Sequence, residues 1–344
     1  MENKNFKYNS DFVLESGAVL PGFQLNYTTL GKLNADKSNV IWVCHALTAN
    51  SEVTSWWEGL VGEGYLFNPK EHFIICANVL GSCYGSTGPL DINPITHKNY
   101  FLNFPTISIR DMVNALIKLS EHLEIFNVHT LIGGSLGGQQ AMEWAIIQPN
   151  FADNLILLAT NAQHSPWGIA FNESQRMAIM ADPTWKNENA NAGKDGLKAA
   201  RAIALLSYRN YEAYQRTQSD TDIEKMDMYK AQSYQQYQGE KLINRFNVHS
   251  YWYLTKAMDS HHVGRSRDGV EKALKQIVAK TLVIGIVSDV LFPVNEQQLL
   301  ASLIPNAIYE EIDSYYGHDG FLIETKIITQ IIVDFYHSHI NVVA

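Results

Sequence analysis

Apolar residues in this chain are distributed in three different ways. Up to about residue 160 they form short, nearly unbroken runs at 40–44, 72–77, 130–133 and 154–159. Such runs are the signature of strands buried on both faces of a parallel sheet. In residues 108–123 apolar positions instead return at helical spacing, so strands alternate with a crossover helix. From about 165 to 275 the chain is rich in Gln, Tyr, Met and Ala and poor in strand signals, and segment 196–209 reads as one amphipathic helix. Strand-like runs resume at 281–287 and 307–312, and the chain closes on an amphipathic segment at 321–336. The pattern predicts an α/β fold with a mainly parallel central sheet flanked by helices. Its core is built from residues 1–160 and 276–344, with a helical lid inserted at 161–275. No fixed-period repeat or low-complexity linker interrupts it.

The run at 130–133 leads into Gly133-Gly134-Ser135-Leu136-Gly137 and then into a helix-like segment from Gln139. A serine between glycines at a strand-to-helix junction is the pattern of a nucleophile elbow, whose sharp turn lifts the hydroxyl above the sheet edge. The glycines at 133 and 137 keep side chains out of that turn. A plain glycine-rich connection would look similar, so the remainder of the chain has to supply an acid and then a histidine, in that order, if this is an α/β-hydrolase fold.

Asp289 ends the run at 281–287 just before Pro293, at the carboxyl edge of the sheet where active sites lie. Its competing reading is an N-cap for a helix starting near Asn295. His318, one helix and one strand later, sits in the loop Gly317-His318-Asp319-Gly320, a position that separates it from the other histidines among the twelve. A serine hydroxyl is a weak nucleophile at neutral pH. His318 is therefore expected to take its proton, and Asp289 to fix the imidazole tautomer. The oxyanion formed on the substrate needs two backbone N–H donors. These are expected from Leu136 and from Leu47, in the loop His45-Ala46-Leu47-Thr48 after the first buried run.

With these residues in view the chain resembles the homoserine O-acetyltransferases of the α/β-hydrolase superfamily. The matching stretches are 45–48, 78–89, 104–111, 133–138, 172–179, 208–209, 288–293 and 317–320, spread over nearly the whole chain. The resemblance implies acetyl transfer from acetyl-CoA to the hydroxyl of L-homoserine, a step toward methionine, with Ser135, Asp289 and His318 as triad. It assigns Arg209 to the substrate's carboxylate, which a guanidinium fork suits, and Asp319 to its ammonium. It also implies a homodimer formed through the lid helices, with no metal and no cofactor apart from acetyl-CoA as co-substrate. The polar segment 186–194 departs from the family's glycine- and tyrosine-rich pattern. A succinyl donor, a serine acceptor or simple ester hydrolysis are the alternatives that the triad alone leaves open.

Composition narrows the remaining classes. With 344 residues, 46% hydrophobic and 18% charged, the chain can bury a large core. A net charge of −9 gives no basic surplus for a nucleic-acid backbone. It leaves room for local cations at CoA phosphates, with Lys198, Arg201 and Lys256 as candidates, each of which reads first as a solvated helix position. No apolar run approaches the roughly 20 residues of a membrane span. The three cysteines, Cys44, Cys76 and Cys83, suit free thiols in the cytoplasm.

Overall fold

The computed structural model describes residues 1–338. Among these, eight strands form one sheet: β1 (Glu2–Tyr8), β2 (Phe23–Leu30), β3 (Val40–Cys44), β4 (Phe73–Ala77), β5 (Val128–Gly134), β6 (Ala152–Leu158), β7 (Lys280–Ile286) and β8 (Ile308–Ile312). Their spatial order is β1-β2-β4-β3-β5-β6-β7-β8. Neighbours from β4 through to β8 are parallel, whereas β2 runs antiparallel to β4 and β1 antiparallel to β2. The unbroken apolar runs are explained by two cores. Val40, Trp42 and Cys44 face one, Ile41 and Val43 the other, so every position of β3 is buried.

Two helices cover the first face. Helix α1 (Ile109–His122) begins at a capping box in which the Ser108 side chain takes the Asp111 N–H and the Asp111 side chain takes that of Ser108. Helix α2 (Leu136–Ile147) sets Trp144 edge-on against Trp42, with ring centroids 4.9 Å apart. Between β6 and β7 the chain leaves the sheet and forms α3 (Pro166–Ala181), α4 (Lys194–Tyr208), α5 (Tyr211–Gln218), α6 (Lys230–Ile243) and α7 (Val248–Asp259). Polar groups tie this helical cap together. Asn172 donates to Asp259 at 2.8 Å, and Arg176 pairs with Asp259 and with Glu173. The stretch 172–179 is therefore internal fastening of the cap. The chain then returns through α8 (Val294–Leu303) and closes with α9 (Thr325–His337), which packs Ile328, Ile332 and Phe335 against the second core.

Three local features depart from the sequence pattern. The N-terminal strands β1 and β2 carry too many polar residues to announce themselves. The last amphipathic segment is two pieces, Gly320–Ile323 and α9, broken at Glu324, whose carboxylate accepts the Ser314 hydroxyl at 2.7 Å. The helix expected at 196–209 ends at Tyr208. Arg209 is its C-cap, in extended conformation at φ −109° and ψ 173°. No helix among the described residues is long and apolar enough to cross a membrane.

Candidate active site

Strand β5 runs straight into the turn that carries Ser135 at φ 56° and ψ −126°. A side chain held there is strained by about 1–3 kcal/mol. The strain is held by hydrogen bonds on both sides of the residue. Its N–H donates to Leu158 O at 3.0 Å, and its carbonyl accepts from the Gln139 N–H at 3.1 Å and the Thr160 hydroxyl at 2.8 Å. A Cβ on residue 137 would lie 2.1 Å from the Cys44 carbonyl oxygen, and one on residue 133 would lie 2.3 Å from Gly137. Both glycines are therefore required by close backbone approach.

Asp289 follows β7, and its Oδ1 accepts the N–H groups of Leu291 at 2.8 Å and Phe292 at 2.9 Å. It does not cap α8, which starts after Pro293 without a side-chain cap. Its Oδ2 lies 2.6 Å from His318 Nδ1. The buried imidazole is stacked on Phe292, with centroids 5.0 Å apart and an interplanar angle of 20°. Burial pushes the ring's pKa down, but the charge and hydrogen bond of Asp289, with the charge of Asp319, outweigh it and hold the imidazole above its ordinary value. Ser135 and His318 line one cavity of about 410 Å³. Among the described residues the Ser135 hydroxyl hydrogen-bonds to none, which leaves it free toward the cavity; such bonds often close only when substrate is bound.

The loop after β3 is clamped from the core. His45 Nε2 accepts the Val79 N–H at 3.0 Å, so its proton sits on Nδ1 and is given to Ala46 O at 2.9 Å. Complete burial keeps this ring neutral, its pKa pushed down to about 4. Ala46 O also accepts from the Ala49 N–H at 3.0 Å. Fixing that oxygen fixes the opposite end of the peptide plane, which is the Leu47 N–H. Among the described residues neither the Leu47 nor the Leu136 N–H meets a protein acceptor. Both expected oxyanion donors are thus unsatisfied, one on the cavity wall and one directly after Ser135. The clamping role of His45 has no signature in residue spacing.

Charged residues of the cap and of the His318 loop close the cavity. Asp319 lines it; burial raises its carboxyl pKa, opposed by Arg209, Arg201 and His318. Arg209 stands behind Asp319, with Nε 2.9 Å from Oδ2 but its N–H not aimed at that oxygen. The Arg209 guanidinium lies under the Tyr316 ring at 5.6 Å and lines a separate cavity of about 190 Å³ with Tyr214 and Tyr234. Arg201 does line the main cavity, over the Tyr208 ring at 5.4 Å, with a buried Nε that has no partner among the described residues. Of the other cations expected near CoA, Lys198 is taken up by Asp195 and Glu240, and Lys256 lies over Trp252; neither lines the cavity. Lys241 and Arg245 do. Burial raises all three thiols, that of Cys83 to about 11, and none of them lines the cavity of Ser135 and His318. No group of three metal-ligating side chains occurs among the described residues.

Residues 39–325 match the family model of the alpha/beta hydrolase fold. The chain is 51% identical to a homoserine O-acetyltransferase of Cyclobacterium marinum, over 94% of this chain and 92% of that one. Among solved structures, a homoserine O-acetyltransferase from Bacillus anthracis superposes with a TM-score of 0.89 at 25% identity, covering 98% of this chain and 97% of its own. Esterase E22 shares the fold at a TM-score of 0.87 and 23% identity, over 97% and 99% of the two chains.

Proposed function

The chain belongs to the homoserine O-acetyltransferases within the α/β hydrolase fold, and from that premise we propose that it moves an acetyl group from acetyl-CoA to the hydroxyl of L-homoserine through acyl-Ser135. The observation that carries the covalent route is the 2.6 Å contact between His318 and Asp289 beside a strained Ser135 in the same cavity. His318 takes the Ser135 proton as the hydroxyl attacks the thioester. The N–H groups of Leu47 and Leu136 meet the oxyanion, and the proton passes to the departing thiol. Homoserine then attacks the acyl-serine, His318 accepts its hydroxyl proton and returns it to the Ser135 oxygen as the acyl–serine bond breaks, and O-acetylhomoserine leaves.

An acceptor must outcompete water, so it has to be held. Asp319 faces the substrate ammonium. For the carboxylate, the unpartnered Arg201 on the cavity wall is better placed than Arg209, which serves to hold Asp319. Esterases share this fold, but a wall holding both a carboxylate and cations suits a zwitterionic acceptor and a phosphate-bearing donor better than a neutral ester. Exposed Ile223, Met226, Met228 and Tyr237 on the cap support a homodimer through these helices. The unpaired thiols fit the cytoplasm, and the product fits a route to methionine. Mass spectrometry of the enzyme with acetyl-CoA and no acceptor tests the reading. An acetyl adduct on Ser135 that homoserine discharges as O-acetylhomoserine is the expected result, and discharge to acetate alone would favour an esterase.

A further inference from the structure

We propose that Arg245, between α6 and α7, is a positioning residue that braces the oxyanion loop from the cap, so that the acyl-transfer machinery is complete only while the cap is seated. This rests on the assignment of Leu47 as an oxyanion donor. Arg245 Nη1 donates to the Thr48 carbonyl and, at 3.0 Å, to the Tyr84 hydroxyl; Nη2 donates to Thr48 Oγ1 at 3.3 Å. Thr48 directly follows Leu47. Its carbonyl accepts no other hydrogen bond among the described residues, and no other cap residue there hydrogen-bonds to residues 46–49. The loop is thus gripped at both ends. His45 holds Ala46 O from the core, and the guanidinium holds Thr48 from the cap.

Arg245 is itself anchored. Its N–H donates to Leu242 O at 3.0 Å, and the next residue, Phe246, is buried edge-on against Tyr84 with centroids 5.7 Å apart. The three acceptors are reached from two nitrogens of one rigid fork, a geometry that a lysine ammonium, a single point of charge, does not reproduce. An oxyanion donor works only when it meets the oxygen at about 2.7–3.1 Å. A brace that keeps the loop from drifting therefore acts on the transition state more than on bound substrate, and its loss appears in the acylation rate rather than in KM.

Rapid-quench mass spectrometry of Ser135 acylation by acetyl-CoA, with steady-state kinetics, tests this on R245A, R245K and T48V. Acylation is expected to slow about tenfold or more in R245A and R245K, and less in T48V, which keeps the carbonyl. KM for acetyl-CoA and homoserine should stay within about twofold. A raised KM for acetyl-CoA with an unchanged saturating rate would make Arg245 a donor contact instead. Full activity of R245K would show that charge suffices, and either result overturns the brace. R245K, which keeps charge and bulk, carries the test if R245A does not fold. Absence of acyl-Ser135 in the wild-type enzyme would overturn the covalent reading itself, whereas normal wild-type acylation with undiminished R245A acylation overturns the brace alone.

Discussion

The two halves of the cavity are built differently. On the sheet side, Ser135, Asp289 and His45 are each fixed by backbone partners, and the elbow glycines touch neighbouring main chain with no space for a methyl group. On the cap side, positions depend on side-chain forks and rings: Arg201 over Tyr208, Arg209 against Asp319 and Tyr316, and Arg245 on Thr48. The groups proposed to make and break bonds sit where main-chain hydrogen bonds leave least freedom. The groups proposed to select the substrate sit where a change of side chain can re-tune the surface without unravelling the sheet.

The sharpest break of this contrast is Ser135→Ala. It should abolish acetyl transfer, with a loss of at least about 10⁴-fold in kcat and thermal unfolding little altered, as measured by coupled assay and calorimetry. Asp289→Asn should lower kcat by about 10⁴ through loss of the correct tautomer. It should also move the acid limb of the pH profile. His318 is inactive when protonated, so activity falls as pH drops through its raised pKa. Without the Asp289 charge that raises it, residual activity should fall off at lower pH than in the wild type.

Arg201→Ala against Arg209→Ala probes the cap side. A charged hydrogen-bond pair contributes about 1.5–3 kcal/mol, so Arg201→Ala should raise KM for homoserine roughly 10–100-fold. Arg209→Ala, acting through Asp319, should raise it less. The reverse ranking in initial-rate kinetics would return the carboxylate to Arg209. The smallest effect is expected from Ser135→Gly, which relieves the positive φ. The inactive variant should be up to about 1–3 kcal/mol more stable in denaturant titration, less the entropy glycine loses on folding.

The elbow, the parallel strands and the chain order of Ser135, Asp289 and His318 were readable because doubly buried strands are written as unbroken apolar runs and the elbow needs glycines at fixed spacing. Strands β1 and β2 were not, because their polar residues are satisfied by tertiary partners. Asn26, within β2, shares hydrogen bonds with Asn3 and Asn78. Arg201 and Arg209 are eight positions apart on the sequence, close to the same helical face, so periodicity does not tell which reaches the cavity. The helix end at Tyr208 decides it, and no glycine or proline marks that end. The break at Glu324 is similarly silent, and the carboxylate there is held by a side-chain bond from Ser314 that no local pattern announces.

The contact of residue 137 with the Cys44 carbonyl joins the serine's turn to the end of β3, so the proposed nucleophile and the loop proposed to receive the oxyanion share one rigid foundation. Engineering for a longer acyl chain has only one direction in which to carve space. Tyr208, Trp56 and Leu322 on the remaining walls are the positions to randomise, and libraries aimed at the floor should return mostly misfolded clones.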